Sequence, residues 1–161
     1  MRVVIDILIL AMLAAILTGV VYLHGEKDAG ARAVERTRQS LEIFEQHLRI
    51  QQALNRVEMT SAGYPRTIDP DWFKLSMPRN YLVTDDRPWL EVAGLEDRDR
   101  RDPVQIVADR DRALAKFWYN PYNGVVRARV PAGLTDAGPL VTYNQVNETS
   151  LERLIREDHP E

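Results

Sequence analysis

The chain has 161 residues, 21 of them basic and 24 acidic, for a net charge of −3, which gives one small domain with accessories. The two signs are mixed along the chain, so the basic stripe that would neutralise phosphates is missing and nucleic acid is not an expected partner. Without cysteine there is no disulfide scaffold, thiolate metal site or thiol nucleophile.

The opening segment, MRVVIDILILAMLAAILTGVVYLHG, contains 21 residues at 3–23 in which Asp6 is the single charge. A helix needs roughly 20 apolar residues to cross a hydrocarbon core of ~30 Å, so the run predicts a transmembrane anchor over 1–25. A signal peptide has a shorter core, about 7–15 residues, with a small-x-small cleavage site close behind it. Here Glu26, Lys27 and Asp28 separate the apolar run from Ala29-Gly30-Ala31, which favours a retained, single-pass anchor. Arg2 flanks one side and Lys27, Arg32, Arg36 and Arg38 the other, so charge counting by itself places the C-terminal part inward.

All nine prolines lie at or beyond Pro65, and ten of the twelve aromatic residues lie from Tyr64 to Tyr143. The chain therefore changes character near Gly63. Before that point Ile43, His47, Ile50, Leu54 and Val57 recur at helical spacing, widened by Leu41, Phe44 and Leu48 and begun by Val34. This stripe predicts an amphipathic stalk helix over 26–62, stopped by Gly63 with Pro65 behind it. Joined to the first segment it would run to about 60 residues, or ~90 Å. The stripe is expected to pack on the chain's own C-terminal domain, with His47 as a core or interface histidine.

Residues 63–161 read as a small α+β or β domain. Asp69 is placed to cap a short helical turn beginning at Pro70, and 81–83 and 89–92 are candidate strands. The alternating acids and arginines from Glu96 to Asp102 read as a solvated loop without calcium-loop spacing. The clearest local signal is a hairpin over 114–131, with strands at 116–119 and 125–130 around the turn Asn120-Pro121-Tyr122-Asn123-Gly124. Val126, Ala128 and Val130 alternate with Arg127 and Arg129, predicting one buried and one wet face. Phe117, Trp118 and Tyr119 read as hairpin packing. Thr149 and Glu152 form a capping box for a C-terminal helix over 150–157 carrying Leu151, Leu154 and Ile155. Asn147-Glu148-Thr149 also matches a glycosylation sequon, a pattern frequent by chance.

Chemistry-bearing constellations are missing. His24, His47 and His159 lie too far apart along the chain to read as a metal cluster. The acid pairs Asp69/Asp71, Asp85/Asp86 and Asp109/Asp111 each sit beside turn markers, and no nucleophile, phosphate-loop or dinucleotide motif occurs. No catalytic, metal-binding or cofactor-binding residue is expected, no small-molecule substrate is evident, and the chain reads as a non-enzyme.

This organisation resembles the type IV pilin and type II secretion pseudopilin superfamily. The resemblance rests on the architecture of nearly the whole chain and on the texture of VVIDILILAMLAAILTGVV, including Leu13-Ala14-Ala15-Ile16. Met1-Arg2 lacks the basic, glycine-ending leader of that superfamily. The resemblance implies a long N-terminal helix, half transmembrane and half amphipathic, packed on a small antiparallel β-sheet domain. It implies a place in the bacterial inner membrane with the C-terminal domain facing the periplasm or exterior. Asp6 matches the family's acid that pairs with the terminal amine of a neighbouring subunit, which implies self-association or assembly with other pilin-like subunits.

The expected function is therefore a membrane-anchored structural subunit of a bacterial envelope secretion or fibre system. Asp6 would serve subunit assembly, and Val34, Leu41, Ile43, Phe44, Leu48, Ile50, Leu54 and Val57 would pack the stalk. A second reading is a bitopic adaptor whose stalk forms a parallel coiled coil through Leu41, Phe44 and Leu48. A third is a tethered enzyme or carbohydrate binder using Trp118 and Tyr122.

Overall fold

The computed structural model describes residues 2–74, 76–108 and 114–154; within the first helix, side chains are described at 12–18, at 25 and from 28 onward. The fold is α+β. Helix α1 spans Arg2–Leu54, strands β1, β2 and β3 span Leu90–Val92, Phe117–Asn120 and Val125–Ala128, and helix α2 spans Ala137–Asn147. Single 3-10 turns lie at Pro70–Phe73 and Leu95–Asp97. The chain divides into two compact units, Met1–Arg32 and Ala33–Glu161.

In the first unit, residues 2–32 are helical. Among the described residues no helix is both long and apolar enough to cross a membrane. This corrects the expected transmembrane anchor over 1–25, and with it the single-pass placement in the inner membrane.

In the second unit α1 ends at Leu54, earlier than the expected 62. Asn55 takes a left-handed conformation (φ 48°) and its N–H donates to Gln51 O at 2.9 Å, the usual way a helix is closed by glycine or asparagine. Residues 58–66 then double back. Thr60 N–H donates to Tyr64 O at 2.7 Å, Arg66 N–H to Glu58 O at 2.9 Å, and Gly63 supplies a φ of 80°. The expected stop signal thus works inside a tight turn rather than at a helix end. At 69–73 the reading is met closely: Asp69 Oδ1 accepts the Asp71 N–H at 2.9 Å, and Pro70 opens the turn.

The sheet is mixed, not antiparallel, in the order β1-β2-β3. β1 runs parallel to β2 with Leu90 opposite Phe117, and β2 runs antiparallel to β3 with Phe117 opposite Ala128. The hairpin turn closes through Gly124 (φ 73°), whose N–H reaches Asn120 O at 2.8 Å. Residues 81–83, expected as a strand, are bends, because their backbone is tied to side chains described below.

One face of the sheet carries Phe117, Tyr119, Val126, Ala128 and Val130, all buried with Leu41, Phe44 and Leu48 of α1 and Tyr143 and Val146 of α2. Phe44 is the pivot. Its ring lies 4.9 Å from Phe117 and 5.4 Å from Phe73, edge on, and stacks 5.2 Å from Trp89.

The opposite face is not wet. Trp118 and Arg129 are both 1% exposed. The charged segment after β1 lies over this side, because the Asn120 amide donates to the carbonyls of Asp97 and Arg100, each at 2.8 Å. Alternation along β3 is real, but both faces are covered.

Helix α2 was not foreseen, and the helix expected over 150–157 is not helical at 150–154; its remainder lies outside the described residues. Thr149 serves the end of α2 instead of opening a new helix. Glu148 turns left-handed (φ 52°), and the Thr149 N–H and hydroxyl reach Asn144 O and Oδ1 at 3.1 and 2.9 Å. Asn144 Nδ2 also donates to Leu151 O at 2.9 Å, while its Oδ1 accepts the Leu151 N–H at 2.9 Å. One asparagine thus ties Thr149 and Leu151 to the end of α2.

Candidate functional site

The first unit exposes an apolar helix surface. Met12, Leu13, Ile16 and Leu17 are 69, 54, 54 and 64% exposed, and Ala14 and Ala15 beside them are exposed too. The polar atom of this stretch, Thr18 Oγ1, is occupied within the helix by donating to Ala14 O at 2.8 Å. A helix segment apolar all round requires a covering partner. Fully burying each Met, Leu or Ile side chain stabilises by about 1.5–3 kcal/mol, so four together can drive association. Such a surface packs; it offers no group for acid–base, nucleophilic or metal chemistry. Asp6 lies in α1, but its side chain falls outside the described residues.

The stalk residues divide into two sets. Leu41, Phe44 and Leu48 are buried in the core, and Val34 and Ile43 are half-buried against it. Ile50 and Leu54 are 41 and 47% exposed, and Val57 is half-buried outside the helix. The seat of α1 is therefore turned from the expected centre of the stripe toward Leu41–Phe44–Leu48. His47 is half-buried beside Phe73, ring centroids 4.6 Å apart, with Nδ1 2.9 Å from Ile43 O.

The rotation follows from two residues the periodicity passed over. Thr37 and Ser40 are buried, and each hydroxyl bonds twice. Thr37 Oγ1 donates to Ala33 O (2.8 Å) and accepts the Tyr81 N–H (3.0 Å); Ser40 Oγ donates to Arg36 O (3.2 Å) and accepts the Arg79 N–H (3.1 Å). Between these anchors Asn80 donates to Lys116 O at 2.9 Å and Arg129 O at 2.7 Å, while its Oδ1 accepts the Leu82 N–H at 2.9 Å. The segment 79–82 is thereby fixed between helix and sheet. A sequence signal existed: Thr37, Ser40, Leu41, Phe44 and Leu48 follow helical spacing once small hydroxyls count as buriable.

The charged clusters are closed on themselves. Asp102 Oδ1 accepts from Arg127 Nε at 3.0 Å and from the Tyr143 hydroxyl at 2.8 Å. Burial, with the Asp102 carboxylate next, holds the Tyr143 phenol well above the ordinary tyrosine range; Tyr119, also raised by burial, donates to Pro65 O at 2.7 Å. Arg129 donates from Nε to Gln105 O (2.9 Å) and from Nη1 to Ala115 O (3.0 Å) and pairs with Glu91 at 2.9 Å. On the surface, Asp85 is held below the usual carboxylate range by hydrogen bonds from Lys116 first and Arg79 second. Among the described residues no three acids or histidines are grouped to hold a metal.

Trp118 is buried, as hairpin packing expects, and Asn147 of the chance sequon is buried too. Trp118 is 1% exposed and offers no stacking platform with Tyr122 for a sugar. Asn147 of the sequon is 6% exposed, and its Nδ2 donates to Ala128 O and Tyr143 O at 3.0 and 3.1 Å, so its amide is structural. Compared with protein-family models, curated proteins and solved structures, the chain finds no match.

Proposed function

We propose that the protein is a non-enzymatic, pilin-like structural subunit of a secretion or fibre system, associating with copies of itself or related subunits through its first helical unit. The observation that supports this reading is the exposed apolar segment of Met12, Leu13, Ile16 and Leu17, whereas the large apolar side chains of the second unit are mostly buried. The charged groups described above point the same way, since each is engaged in holding loops to the sheet. The coiled-coil adaptor reading needs Leu41, Phe44 and Leu48 free, and these three fill the domain's own core. Asp6 would contribute by pairing with a cationic group of the neighbouring subunit, since an acid beside an apolar surface is tolerated when paired.

The test is sedimentation velocity on the full chain over a range of concentrations, with the double substitution Leu13→Arg/Ile16→Arg and separately Asp6→Ala. Concentration-dependent association is expected for the parent chain. The double substitution should abolish it and Asp6→Ala should weaken it, with near-ultraviolet dichroism of the aromatic core unchanged. A parent chain monomeric throughout, or a double variant that associates equally, overturns the proposal.

A further inference from the structure

We draw no further inference here: the strongest candidate, the patch of Ile50, Ala53 and Leu54 on the solvent face of α1, has Glu45 and Arg49 already paired within the helix at 3.0 Å, an antiparallel second copy placed to set Glu42 against Arg49 would set Ala53 against Arg38, and nothing in the structure shows what covers it.

Discussion

The outer edge of β3 is closed by one side chain, and removing it has a calculable effect. Phe117 and Ala128 are opposite each other, while Arg129 N–H bonds Lys116 O at 3.0 Å. The next pair along is therefore a non-hydrogen-bonded one, and the Ala128 N–H and C=O point away from β2. Asn147 meets both: Oδ1 accepts the N–H at 2.7 Å and Nδ2 donates to the C=O at 3.0 Å. Asn147→Ala strands two backbone groups on a residue that is 0% exposed. Each such group costs about 1–3 kcal/mol, and partial water entry brings the total to about 2–4 kcal/mol. For a chain of this size that lowers Tm by about 4–16 °C. Asn147→Asp sharpens the test because its shape is the same. Ionised, the carboxylate keeps the N–H but turns an acceptor toward the carbonyls of Ala128 and Tyr143. Its folded-state pKa is consequently raised above the unfolded value of about 3.9. Between those two values the folded state binds more protons, so the variant regains stability as pH falls through the folded pKa and levels off below the unfolded one. Urea denaturation of parent, Ala and Asp forms from neutral pH downward reads this directly. An Ala variant within ~0.5 kcal/mol of the parent, in the range of ordinary surface changes, or an Asp variant that tracks the parent at every pH, would refute the edge-cap argument.

Gly124 has a φ of 73°, and an added Cβ would fall on the ring of Tyr64; Gly124→Ala should cost about 1–2 kcal/mol from backbone strain plus a steric part. Adding Tyr64→Ala should recover the steric part alone, and full recovery would show that the left-handed backbone is unimportant. Thr37→Val and Ser40→Ala each leave a backbone N–H of the 79–82 segment without its acceptor, at about 1–3 kcal/mol apiece. Hydrogen exchange should then accelerate at Tyr81 and Arg79 respectively, and unchanged protection would mean that the helix hydroxyls do not hold this segment. Asp85, with its folded pKa lowered by Lys116 and Arg79, contributes stability that is present above its unfolded value of about 3.9 and lost as pH falls through the folded one. Carboxyl NMR should place its midpoint below the usual aspartate range and Lys116→Met should raise it; a midpoint at the ordinary value contradicts the pairing.

Short-range chemistry was legible. Asn120 through Gly124 specified a turn because a left-handed glycine and two asparagines that bond their own backbone have few alternatives, and Asp69-Pro70 specified a capped turn for the same local reason. Asn55 could also have been read as a helix stop, but Gly63 and Pro65 are the stronger markers, and both are used in the turn that follows. Helix α2 carries Gly138, Pro139 and the β-branched Val141, Thr142 and Val146, a composition of low helix propensity. It forms where Pro139, Tyr143, Val146 and Asn147 become buried, a long-range gain that local propensity does not register.

The candidate site divides in the same way. That the first helical segment is apolar and needs covering is a property of its side chains, visible before any fold is known. Sequence also determined that the stalk segment is helical, though not its end at Leu54, and with it the hairpin and the capped turn, because each rests on contacts between residues a few positions apart. Which side of α1 is buried was decided by Thr37 and Ser40 meeting backbone from residues 79 and 81. Why Arg127 and Arg129 are covered was decided by Asp102 and by carbonyls from Gln105 and Ala115. A hydroxyl or guanidinium can be buried only when partners complete its hydrogen bonds. Those partners come from distant positions, and only the tertiary structure brings them into reach.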